Sequence, residues 1–104
     1  MITVTTENIL GKNIKEHLGI VKGNTIRARW FGRDIMAGIR QIIGGEIKTY
    51  TDMIGQSREE AYNRMVNQAN ELGADAIIGV RFMTSMVMAG SSEMLAYGTA
   101  VKLK

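Results

Sequence analysis

The sequence predicts an α+β domain in the order β-β-α-α-β-β, with an antiparallel sheet that carries its helices on one side. Three observations lead there. Apolar residues recur with a period of two near both ends of the chain and with a helical period between them. The breaks between these stretches fall at glycine, of which there are 12, and never at proline, of which there is none. The 104 residues are enough for one hydrophobic core and not for two, so 1–104 is read as a single domain.

Residues Ile2 to Thr5 are β-branched throughout and predict a short strand ending at the turn-prone Glu7-Asn8. The next strand region runs from Ile14 to about Phe31, interrupted by Gly19 and by Gly23-Asn24. In its second part Ile26, Ala28 and Trp30 alternate with Thr25, Arg27 and Arg29, which predicts a half-buried strand with the first set inward and a cationic outer face. Lys22-Gly23-Asn24 reads either as a turn between two strands or as a bulge within one.

After Gly32 the period changes. Ile35, Met36, Ile39, Ile42 and Ile43 fall at helical spacing, with Asp34 near the start, where a carboxylate suits the helix dipole, and Gly44-Gly45 at the stop. Gly38 inside this helix costs roughly 1 kcal/mol against Ala, and close packing of a neighbouring backbone is the reason read for it. Ile47, Tyr50, Met53 and Ile54 continue for a further turn or two, up to Gly55. A last helix is expected to start at Ser57, with Glu60 three residues on completing a capping box. Its buried stripe is Ala61, Met65, Ala69 and Leu72, widened by Tyr62 and Val66, and Gly73 supplies a left-handed stop.

Two strands follow. Ala76 to Phe82 is apolar on both faces, which suits a central strand, and the pattern extends through Met83 towards Met88. Ala89-Gly90-Ser91-Ser92 reads as the hairpin loop. The last strand, Met94 to Leu103, sets Leu95, Tyr97, Thr99, Val101 and Leu103 on one face and the small Ala96, Gly98 and Ala100 on the other. That small-residue face, with a strand apolar on both sides, predicts association between copies, because one chain's helices cover such surfaces only in part.

Composition excludes several functions. With no Cys there is no disulfide framework, thiolate metal site or Cys nucleophile. One His rules out motifs that need two imidazoles within a chain. No apolar run approaches the roughly 18 residues of a membrane span, and MITVTTENILGK lacks the basic start and apolar core of a signal peptide, so a cytoplasmic protein with no membrane partner is expected. Neither phosphate-binding glycine motif occurs, nor a Ser/His/Asp set in a recognisable context. Glu59 and Glu60 are adjacent on a helix and diverge, which is wrong for paired acid–base work, so the chain is not expected to be an enzyme.

The segments GGEIKTYTDMIGQSREEAYNRMV, NELGADAIIGVRFMTS and EMLAYGTAVKL, preceded by TVTTENILGKNIKEHLGIVKG, resemble the YbjQ-like family of small bacterial proteins, described as "putative heavy-metal-binding". Gly44-Gly45-Glu46, Arg58-Glu59, Gly73-Ala74 and Tyr97-Gly98-Thr99-Ala100-Val101 stand in that family's order, and the resemblance covers nearly the whole chain. It implies a dodecin-subunit-like fold assembled as a ring, most often a homopentamer, and no known reaction. The chain departs from the family at Met83, where an acidic residue is common, so an acidic ligand there is missing.

Three sets of residues are candidates for binding. His17 is the one imidazole; Glu16 beside it points to the opposite side of a strand, so a metal site there would need copies from a ring. The bland reading is an exposed or interface histidine. Met83, Met86, Met88 and Met94 offer thioethers that suit Cu(I), although Met is also the usual filler of irregular apolar interfaces. Arg27, Arg29, Arg33 and Arg40 cluster around Trp30 and Phe31, a pattern that could hold an anion or stack and clamp nucleic acid. The net charge of +3 is small for a nucleic-acid binder, and a solvated cationic face is the plainer reading. The leading expectation is a ring-forming, non-enzymatic protein that binds a metal ion or small anion. The alternative is a nucleic-acid or anionic partner on the arginine face.

Overall fold

The computed structural model describes residues 1–27, 48–88 and 91–104. Four strands, β1 (Ile2–Thr3), β2 (Ile14–Arg27), β3 (Ala76–Met88) and β4 (Ser91–Leu103), form one sheet in the order β1-β3-β4-β2. A single helix among the described residues, α1 (Lys48–Glu71), lies across one face. The α+β class therefore holds, with two corrections to its details. The sheet is mixed, because β1 pairs parallel with β3 while β2 and β3 flank β4 antiparallel. That parallel pair joins residues more than seventy apart in sequence, which no local pattern records. The expected helix over 34–43, with Gly38, lies outside the described residues, and so do Ala28 and Trp30.

The second correction concerns Ser57. The helix runs through Gly55 and Ser57 without a break, so the Ser57–Glu60 pair is not a helix start. Ser57 instead heads a buried stripe at i, i+4 spacing: Ser57, Ala61, Met65 and Ala69 all face the sheet. Leu72, expected to extend that stripe, is exposed because the helix has already ended. The stop itself is as expected. Gly73 takes φ +75°, its N–H donates to the Asn70 carbonyl at 3.0 Å, and the Ala74 N–H reaches back to Ala69 at 3.0 Å, a Schellman pair.

The helix rests on Val21, Gly23 and Thr25 of β2, Ile77 and Val80 of β3, and Met94, Ala96 and Ala100 of β4. The side of β2 that faces the core is thus the reverse of that expected: Thr25 is buried and Ile26 is 59% exposed. Lys22-Gly23-Asn24 is neither turn nor bulge but regular strand, and the register is unbroken from Gly19 to Arg27; the core face is the one that carries Gly23, whose missing side chain admits the helix, with Val21 and Thr25 beside it.

Gly23 is the point of closest approach. A Cβ built there would collide with the Ala61 carbonyl oxygen and the Met65 amide nitrogen, and would lie 2.7 Å from Arg64 Cβ. The helix backbone thus touches the strand backbone directly. Gly98 is crowded from within the sheet: β3 bulges at Gly79 (φ +61°), so that Ile77, Ile78 and Val80 gather around it, with Ile78 O 2.9 Å from where a Cβ would stand. On the far face a smaller core, Ala76, Ile78 and Val101, is covered by Val4, Ile9, Ile14 and Leu103.

Both flanks of the helix are tied down. The Lys22 N–H, on the outer edge of β2, donates to Gln68 Oε1 at 2.7 Å, and the Arg64 guanidinium donates to the Asn24 carbonyl while pairing with Glu60 at 2.9 Å. On the other side the Tyr62 hydroxyl lies 2.9 Å from Thr3 Oγ1, and its ring stacks on Phe82 at 6.5 Å.

Two glycine substitutions test this packing. Gly23→Ala should destabilise by about 2 kcal/mol or more, since the obstruction is helix backbone and has nowhere to move. Gly55→Ala, whose added Cβ meets nothing nearer than Arg58 Nη2 at 4.0 Å, should stabilise by roughly 0.5–1 kcal/mol. Urea unfolding measures both, and an unchanged midpoint for Gly23→Ala would refute the direct backbone contact.

Candidate functional site

His17 owes its position to the two irregularities of β2. In a regular strand Ile14 and His17 would point to opposite faces, as would His17 and Ile20. The shifts at Ile14/Glu16 and His17/Gly19 instead pair Ile14 with Leu103, His17 with Val101 and Ile20 with Thr99, so all three stand on the face away from the helix. Glu16 pairs with Lys102 on the other face, so the structure does not bring it to His17.

On that face the chain between β1 and β2 crosses beneath the sheet. Its backbone is held by the Val4 N–H on the Ile77 carbonyl at 3.0 Å, the Gly79 N–H on the Thr6 carbonyl at 2.8 Å and the Lys104 N–H on the Asn13 carbonyl at 3.0 Å. Between this loop and the sheet runs an open groove of about 600 Å³. Glu7, Asn8, Lys12 and Asn13 of the loop and Lys15 and His17 of β2 form its walls. Ile14, Ile78 and Thr99 form its floor. Sequence reasoning found His17 but not its neighbours, because the loop carries no motif. The available signal was turn chemistry, Asn8, Gly11 (φ +79°) and Asn13, which marks a loop without saying where it lies.

The methionines do not converge. Met94 is 8% exposed and belongs to the core under the helix. Thr84 is its partner on β3, which sets Met86 on the helix side and Met83, opposite Leu95, on the other face. Met83 and Met86 are both exposed, and Met88 pairs with Ser91 at the end of the strand. A soft ion needs several sulfurs around one point, and the sheet separates Met83 from Met86 and Met94, which leaves at most two of these three sulfurs on one face. Nor do three or more His, Asp or Glu side chains gather anywhere among the described residues. One chain's described residues therefore do not fit a transition-metal centre, which takes three or four donors. Of the arginines, Arg27 ends β2, while Arg29, Arg33 and Arg40 lie outside the described residues. No helix among the described residues is long and apolar enough to cross a membrane.

Comparison with known proteins agrees with this fold. A UPF0145 protein of Psychromonas ingrahamii is 57% identical over 104 residues, covering 100% of this chain and 99% of its own. One from the archaeon Methanosarcina acetivorans is 55% identical over 103 residues, 99% of this chain and 97% of its own. A crystal structure of a protein of unknown function from Pediococcus pentosaceus superposes with a TM-score of 0.66 at 22% identity, covering 100% of this chain and 98% of that one, which shows a shared fold. The model of the YbjQ family, described as "Putative heavy-metal-binding", matches residues 1–104, and the chain belongs to that family.

Proposed function

We propose that the protein is a non-enzymatic, ring-forming binding protein whose copies associate through the open half of β3 and whose ligand is a metal ion or a small anion. The observation that carries the reading is the distribution of exposed apolar side chains. β1 covers the edge of β3 only at Ala76 and Ile77; the segment after Thr3 follows it as far as Val80. From Arg81 to Met86 every residue is exposed, with Phe82 at 43%, Met83 at 49% and Met86 at 75%. Among the described residues no strand pairs with that stretch of edge, and an exposed edge carrying apolar side chains is an invitation to pair with another chain. The other edge is closed at Lys22 and Asn24 by Gln68 and Arg64. The family resemblance supports a closed ring of five copies.

Metal binding has its own constraint. The donors of one chain are scattered, so a transition metal would be held only where copies bring several His17 side chains, or His17 and a carboxylate, to one point. A soft ion on Met83 or Met86 is chemically easier, because thioethers need no deprotonation.

Light scattering at micromolar concentration tests the association: a mass of several chains is expected, five favoured, and a mass near the 11.5 kDa of one chain ends the idea. Met83→Lys with Met86→Lys should shift the population to single chains and leave the fold intact, since both side chains are exposed. For the ligand, calorimetry on metal-free protein should find weak or no binding of Zn²⁺ and Ni²⁺ and at most modest binding of Cu(I). Tight, stoichiometric zinc binding that disappears in His17→Ala would overturn that expectation.

A further inference from the structure

We propose that the groove beneath the sheet binds a small organic anion, with its acid group held by Lys12, Lys15 and His17 and its carbon portion lying over Ile14 and Ile78. The inference deepens the small-ligand part of the reading above and does not depend on whether copies associate.

Charge sets the sign of the ligand. Two lysines and the histidine line the groove against one carboxylate, Glu7. Among the described residues none of the three side chains has a partner: the ion pair is Arg64–Glu60, and the side-chain hydrogen bonds lie elsewhere. Their side-chain N–H groups can meet an oxyanion, and the charge-assisted bonds from the two lysines are the stronger kind.

The floor sets the ligand's other half. Ile78 is 7% exposed and Ile14 packs against the same cluster, so the groove is built on a core and does not depend on the ligand for its shape. The apolar floor offers the carbon portion of such a ligand a surface to cover, while the lysines stand at the walls. A volume of about 600 Å³ lies in the range of small-molecule sites and is far larger than a bare ion needs. A transition-metal ion is a poor match here, since Glu7 and His17 supply two donors of the kind it takes where three or four are required.

The walls are also held in place. The Lys12 N–H donates to the Ile9 carbonyl at 3.1 Å, Thr6 Oγ1 donates to the Asn8 carbonyl at 2.6 Å, and Asn13 is tied to Lys104. The carboxamides of Asn8 and Asn13 and the Glu7 carboxylate add polar groups of the other kind, which suits a ligand that carries a hydroxyl or amine besides its acid.

The test is an NMR titration of the full chain with phenylphosphate and, separately, with inorganic phosphate, read at the His17 ring and the Asn8 and Asn13 side-chain amides. Both ligands should shift these signals saturably. Phenylphosphate should bind about fivefold tighter, because its ring covers the apolar floor. Lys12→Ala with Lys15→Ala should weaken phenylphosphate about tenfold at an unchanged urea midpoint, and Lys15→Gln alone should weaken it less. The proposal fails if the signals do not move, if the double variant binds as well as the parent, or if Zn²⁺ saturates the same signals while phenylphosphate does not. Light scattering on the same samples separates the two ideas: single chains that still bind phenylphosphate would count against the ring and not against the groove.

Discussion

The contact on which the rest of the structure depends is backbone against backbone, where α1 crosses β2 at Gly23. With no side chain between them, helix and sheet approach more closely than the usual layer spacing allows, and every neighbouring position must then be small or shaped to fit. Ala61 and Ala69 on the helix and Ala96 and Ala100 on β4 are fully buried and contribute little more than a methyl group each. Met65, the one large side chain of the stripe, is also fully buried and fills the space they leave, a use to which its flexible thioether is suited. Because the helix sits so low, Arg64 and Gln68 on its flank reach the outer backbone groups of β2. The close contact thus also seals a sheet edge that would otherwise be open to other strands.

The same geometry divides the sheet into unequal ends. Near Ala76 both faces are covered, by the helix above and the N-terminal loop below, and Ala76, Ile77, Ala100 and Val101 are fully buried. The Gly79 bulge marks the boundary. It inserts one residue opposite Gly98, keeps Val80 in the core, and turns its own N–H towards Thr6. Beyond it β3 loses the loop that flanked it, and its side chains emerge on both faces. Ile20 and Ile26, 77% and 59% exposed, continue the uncovered surface onto β2.

Much of this was legible in the sequence where the signal is local. The Gly73 stop, the alternation of small and large residues along β4, and the continuation of β3 to Met88 follow from residues that touch their sequence neighbours. What was not legible depends on partners far away in the chain. The parallel pairing of β1, the merging of two helical stretches through Gly55, and Gly23 as a contact point all require knowing what lies across the core. The face of β2 was misread for a more specific reason: Ile26 is as apolar as a core residue though it sits outside, and the side that meets the helix is marked by Gly23, which has no side chain to count in an apolar pattern. Of the site, His17 stood out by being unique, whereas the groove around it exists only because a loop crosses the sheet.

The irregularities of β2 also bear on the family's heavy-metal description. By setting His17 on the loop side and leaving Glu16 on the helix side, they separate the imidazole from its nearest carboxylate in sequence. The pleat does the same to the thioethers, with Met94 committed to the core and Met83 turned from Met86. A metal ion gains nothing from donors held on opposite faces of a sheet, because each bond must reach one point at about 2.0–2.3 Å. Under the proposed reading, then, metal binding and self-association would not be independent. A ring that repeated His17 around its axis could assemble a donor set that one chain's described residues lack, so any metal affinity should rise and fall with the oligomer. An anion asks less of the geometry, since Lys12, Lys15 and His17 already share one wall-lined groove.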